Sequence, residues 1–99
     1  FSIDECFLRF TDKSREQAIA LAYEIKEAVK ENFGYTVNVG ISTNKLLAKM
    51  AGDFEKPDKC HTCFPEEVRK KMWPLDVGDL FMVGRRTKPK LNNWGIYTI

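Results

Sequence analysis

The sequence predicts an α+β fold: a small sheet with helices laid on one face, followed by two short helices around a hairpin. Three observations carry that prediction. Ser14 and Gln17 form a Ser-x-x-Gln capping box, after which Ala18, Leu21, Ala22, Ile25, Ala28, Val29 and Phe33 recur at helical spacing until Gly34. Tyr35, Val37, Val39 and Ile41 then alternate strictly, as a strand does. Beyond the break at "WPLD", the stretch "VGDLFMVGRRTKPKLNNWG" reads as two short helices around a Gly-containing hairpin.

The remaining elements follow in order. Phe1–Thr11 is strand-like, with apolar residues on both faces beyond Glu5, as in a strand covered by neighbours. The helix after it is a crossover, so strands 1–11 and 35–41 are expected to run parallel in one sheet, a ferredoxin-like βαβ arrangement. Gly40 leaves room for a close approach. A second helix runs from Ser42 or Thr43 through "NKLLAKMAGD", and Pro57 disfavours helix at Lys56. "KCHTCF" is a short strand. Pro65, Glu66 and Glu67 at one end and Lys70 and Lys71 at the other match the helix dipole from Pro65 to Met72. The break near Pro74 is the candidate boundary between 1–73 and 74–99.

Composition narrows the class. A chain of 99 residues with 43% hydrophobic and 30% charged residues is an ordinary globular domain. Its longest unbroken apolar run, Ala18–Tyr23, is far short of the roughly 20 residues a membrane-spanning helix needs, and no signal-like segment opens it, so a cytoplasmic protein is expected. The first residue is not Met and already lies in a strand-like run, so the chain reads as part of something longer. Acids and bases balance over 1–73, and the net charge of +2 comes from Arg85, Arg86, Lys88 and Lys90 outnumbering two acids in 74–99. Cys60 and Cys63 have CxxC spacing, but only Cys6 and the enclosed His61 could complete a zinc site, and the next helix begins after the motif. Two cysteines in a short strand is the expectation.

Asp4 and Glu5 stand side by side in the apolar segment "FSIDECF". On a regular strand they would face opposite ways; at a strand start beside a turn they converge, which suits a hard divalent cation. An acidic pair exposed at a sheet edge is the alternative.

"FSIDECFLRFT", then "VNVGISTNKLLAKMAGDFEKP", then "GDLFMVGRRTKPKLNNWGIYTI" closely resemble the Y-family translesion DNA polymerases, the group related to UmuC and DinB. The resemblance covers essentially the whole chain. It implies a partial polymerase palm at 1–73 and the start of the thumb, with a helix-hairpin-helix, at 74–99. Asp4 and Glu5 match the paired metal-binding carboxylates of the S-x-D-E motif, holding two Mg²⁺ ions in a two-metal phosphoryl transfer. Asp4 is expected to bridge the ions and Glu5 to reach the one nearest the primer end. Lys56 matches the lysine that contacts the incoming triphosphate, and Asp53 is expected to orient it. Lys45 and Lys49, four apart on one helix face, are expected to border DNA, as are Gly84, Arg85 and Arg86 in the hairpin. Met82 stands where the family pattern has its first glycine; Met lacks glycine's freedom at positive φ, which argues against the pattern's tight hairpin.

The resemblance also implies primer-template DNA and deoxynucleoside triphosphates as partners, a sliding clamp in the full-length family, and roles in DNA repair and damage tolerance. It places a third carboxylate and the nucleotide-covering fingers N-terminal to this stretch, so the 99 residues alone are expected not to catalyse. A palm-fold nucleotidyl cyclase and a non-catalytic DNA-binding scaffold remain open alternatives.

Overall fold

The structure, a computed structural model, describes residues 5–99. Helix α1 spans Arg15–Phe33 and begins with the capping box read from the sequence: the Ser14 hydroxyl accepts the Gln17 N–H, and the Gln17 side chain accepts the Ser14 N–H at 2.8 Å. Gly34 ends it at φ 72°, a left-handed value that glycine adopts without strain. The chain then runs through strand β1 (Val39–Ile41), helix α2 (Lys45–Gly52), strand β2 (Cys60–Thr62), a 3₁₀ turn (Pro65–Glu67) and the single-turn helix α3 (Val68–Lys71). A second 3₁₀ turn (Val77–Asp79) and helix α4 (Thr87–Asn93) complete it. Among the described residues, no helix is long and apolar enough to cross a membrane.

The sheet differs from expectation. Its parallel pair is β1 with β2, in the register Val39 to Cys60 and Ile41 to Thr62, and the crossover between them is α2. Residues 5–11 form no strand, and Phe7, Leu8 and Phe10 are exposed, whereas residues 1–4 of the expected first strand lie outside the described residues. A strand needs a partner for its N–H and C=O groups, and β1 meets its partner in β2. The alternating run 35–41 is paired only over its last three residues for the same reason: Lys59 and β2 begin opposite Val39, where the Val39 N–H donates to the Lys59 carbonyl at 2.9 Å. The Pro65–Met72 helix is split between a 3₁₀ and an α turn, because the Glu67 carboxylate turns back to accept the Phe64 N–H at 3.0 Å and the Thr62 hydroxyl.

Helix α2 is the centre of the fold. Its cap is Asn44, whose side chain accepts the Leu47 N–H at 2.9 Å, one or two residues later than the sequence suggested. Leu47, Met50 and Ala51 on its inner face form the core with Cys63 and Met72. Leu75, Leu80, Phe81 and Ile99 pack on that same cluster, so the C-terminal third shares one core with the sheet. Its two ends are clasped by the Val77 N–H to Tyr97 carbonyl bond and by the Asp76–Thr98 bridge. Helix α1 also packs on β1 and β2, and its buried Lys26 donates to Glu27 at 2.8 Å and to Asp58 at 3.1 Å. Lys26 thereby fixes α1 to the turn between α2 and β2. Cys60 lies in β2 and Cys63 just beyond it; both thiols are free and are pushed up by burial.

Candidate functional site

The C-terminal end of α2 gathers four of the charged residues that the sequence singled out. The Lys49 ammonium lies 3.4 Å from a Glu5 carboxylate oxygen and 3.0 Å from one of Asp53. The other Asp53 oxygen lies 3.1 Å from the Lys56 ammonium. Glu5, Lys49, Asp53 and Lys56 thus form one row of alternating charge. Burial alone would raise the Asp53 carboxyl and lower the Lys49 ammonium. The hydrogen bonds between them, with Lys56 and Glu5 contributing, win on both sides: Asp53 is held below the usual carboxylate range and Lys49 above its usual value.

Helical geometry explains the row. Lys49 and Asp53 are four apart on α2 and therefore neighbours, and Lys56 is three beyond Asp53 on the turn where the helix has ended. Lys45 shares the face: its ammonium sits 5.7 Å from the Phe7 ring centre. Both lysines of this face therefore lie over segment 5–7. Asp4 is outside the described residues.

Among the described residues, no three His, Cys, Asp or Glu side chains converge in a way that could hold an ion. The described set therefore does not by itself fit a metal, and a metal reading rests on Asp4 and Glu5 as a pair in the sequence.

The hairpin lies on the other side of Phe81. Leu80 and Val83 close a turn through the Val83 N–H to Leu80 carbonyl bond at 3.0 Å, and the Gly84 carbonyl accepts the Lys88 N–H as α4 starts. Met82 adopts φ 78°, so the tight turn forms despite the missing glycine. The sequence argument against a tight turn at this position does not hold, because Met82 takes the left-handed conformation. Leu80 and Phe81 are half-buried against the core, and the Phe81 N–H donates to the Met50 sulfur at 3.3 Å, so the chain is held on the side preceding Met82. Gly84 does not have a positive φ, and a Cβ there would meet nothing within 4 Å. Gly84, Arg85 and Lys88 line a shallow hollow of about 280 Å³ with Gly78, Asp79 and Val83. Arg85 and Arg86 are exposed, and Lys88, which the sequence placed only in a charge cluster, reaches Asp76 at 3.1 Å. The hollow was not legible beforehand because Gly78 and Lys88 meet only when the two short helices pack.

A non-glycine residue in the left-handed region costs about 1–2 kcal/mol. Met82→Gly is therefore expected to raise the thermal midpoint by several degrees, roughly 4–8 °C for each kcal/mol in a domain of this size. A melt with an unchanged or lower midpoint would show that position 82 carries no strain.

The site and fold have counterparts. The impB/mucB/samB family matches residues 1–53, and the HHH motif of the IMS family matches residues 65–96. DNA polymerase IV of Clostridium acetobutylicum is 54% identical over 100% of this chain and 25% of its own length. DNA polymerase IV of Acetivibrio thermocellus is 39% identical with the same two coverages. Among solved structures, DinB from Sulfolobus solfataricus superposes with a TM-score of 0.76 at 34% identity, over 86% of this chain and 25% of that one. An insertion ternary complex of Dbh DNA polymerase superposes at 0.77 with the same identity and coverages. The chain spans about a quarter of the length of the curated relatives it matches. With one family match covering more than half of its residues and a second covering the hairpin, the chain belongs to the impB/mucB/samB family, the Y-family DNA polymerases.

Proposed function

We propose that this chain supplies part of the palm (1–73) and the start of the thumb (74–99) of a template-directed, lesion-bypass DNA polymerase acting in damage tolerance. The observation that carries the reading is the charged row Glu5–Lys49–Asp53–Lys56, which joins a carboxylate of the S-x-D-E motif to the lysine of the "KP" motif. Its substrates are primer-template DNA and deoxynucleoside triphosphates. Asp4 and Glu5 would hold two Mg²⁺ ions, which when bound activate the primer hydroxyl and neutralise developing phosphate charge. Lys56, whose side chain is 60% exposed, offers a point charge to the triphosphate, and Asp53 orients it.

In the hairpin, the open space over Gly84 lets a phosphate oxygen approach the backbone, and Arg85 and Arg86 add charge without reading base sequence. Lys45 would add to this surface beside Phe7. Three free cysteines support a cytoplasmic setting. A sliding-clamp partner is supported by the family resemblance alone.

The test is a chimera in which this chain replaces the matching quarter of the C. acetobutylicum polymerase. It is expected to extend a primer in a template-directed way. Lys56→Ala in the chimera should lower kcat/KM for the nucleotide about 10- to 150-fold, as the loss of a charged hydrogen bond of about 1.5–3 kcal/mol implies. An unchanged kcat/KM would remove Lys56 from the site. A folded chimera that binds primer-template and does not extend it would favour the scaffold reading.

A further inference from the structure

We propose that Lys49 is a positioning residue: it sets the separation between the Glu5 carboxylate and the Asp53–Lys56 pair, and ties both to the hairpin through Phe81. The proposal rests on the polymerase reading above and assigns Lys49 a role other than the DNA contact expected from the family resemblance.

Four observations point the same way. A single ammonium stands between two carboxylates, 3.4 Å from Glu5 and 3.0 Å from Asp53. The side chain is only 18% exposed, whereas lysines are seldom withdrawn from water without a partner. The same ammonium lies 5.8 Å from the ring centre of Phe81, within cation–π range, and Phe81 precedes the left-handed Met82 that makes the hairpin turn. Asp53 occupies the C-cap of α2, where the partial negative charge of the helix end disfavours a carboxylate. The acid is kept there by two lysines, one on each oxygen.

The consequence for chemistry is indirect. With Lys49 in place, Asp53 shares its charge between two cations and leaves Lys56 free to turn toward a triphosphate. Without Lys49, Asp53 holds Lys56 alone and draws it back toward α2, while Glu5 loses a cation that fixes its carboxylate. A lysine whose donors face two carboxylates presents little net positive charge to a DNA phosphate.

In the chimera, Lys49→Met is expected to lower nucleotide kcat/KM about 10- to 150-fold while primer-template affinity and its salt slope stay unchanged. Because Lys49 acts through Asp53 on Lys56, the Lys49→Met, Lys56→Ala double variant should lose less than the product of the two single effects. Three outcomes overturn the proposal: kcat/KM within threefold of wild type, single effects that multiply in full, or DNA binding weakened on all templates with the salt slope reduced by about one, the signature of a phosphate contact. Should Lys49→Met fail to fold, Asp53→Asn at a half-exposed side chain carries the test with the same expected split, and a wild-type kcat/KM overturns it. Absence of extension by the unsubstituted chimera strikes at the polymerase reading instead. The pairing is then read on the 99-residue chain, where thermal midpoints of Lys49→Met, Asp53→Asn and their double variant should be non-additive, and additive shifts remove it.

Discussion

Asp4→Asn in the chimera is expected to reduce primer extension to background, a loss on the order of 10³-fold or more, while primer-template affinity changes little. The substitution keeps the size of the side chain and removes the charge that a hard divalent ion requires. Two-metal sites supply several kcal/mol of transition-state stabilisation, and each 1.36 kcal/mol is about tenfold in rate. Binding is spared because the contacts proposed for DNA lie at Gly84, Arg85, Arg86 and Lys45, on other elements. Single-turnover extension and primer-template affinity, measured on one preparation, separate the two effects. Near-normal extension by Asp4→Asn would mean that Asp4 is not a metal ligand, and the two-ion proposal would fall with it.

Gly40→Ala is expected to unfold the chain or bring it close to unfolding. A Cβ at position 40 would lie 1.8 Å from the Ala48 carbonyl oxygen and 2.4 Å from the Gly52 nitrogen. Both are backbone atoms of α2, so no side-chain rotation relieves the clash; the helix that carries the core and the charged row has to move off β1. Overpacking costs typically about 1–3 kcal/mol and more where the backbone must shift. At 3 kcal/mol the midpoint falls by roughly 12–24 °C in a domain of this size. Gly52→Ala is the control: its Cβ would meet Gly40 at 3.5 Å, an ordinary contact, and the midpoint should not fall by more than a few degrees. Equal midpoints for Gly40→Ala and wild type would show that α2 does not sit this close to the strand.

Features whose determinants are local were legible in the sequence. Helix α1 was readable at both ends, because a capping box and a left-handed glycine act within one turn of the residues they terminate. Helix α2 and strand β2 were placed to within a residue or two by spacing and by Pro57. The ordered motifs carried the family, and Gly40 was recognised as a point of close approach. What approaches it, the α2 backbone at Ala48 and Gly52, belongs to packing.

The tertiary structure decided whatever depends on partners distant in sequence. Alternation identifies a strand but not its neighbour, so the sheet formed between β1 and β2 and left 5–11 without a strand. Helix spacing put Lys45 and Lys49 on one face correctly, yet could not say that this face covers segment 5–7, where Lys45 meets Phe7 and Lys49 meets Glu5. At Met82 the residue's own preference lost to its surroundings. Burial of Leu80 and Phe81 against the α2 core outweighs the cost, of order 1–2 kcal/mol, of a left-handed backbone at a residue with a Cβ, and so the hairpin closes without its glycine.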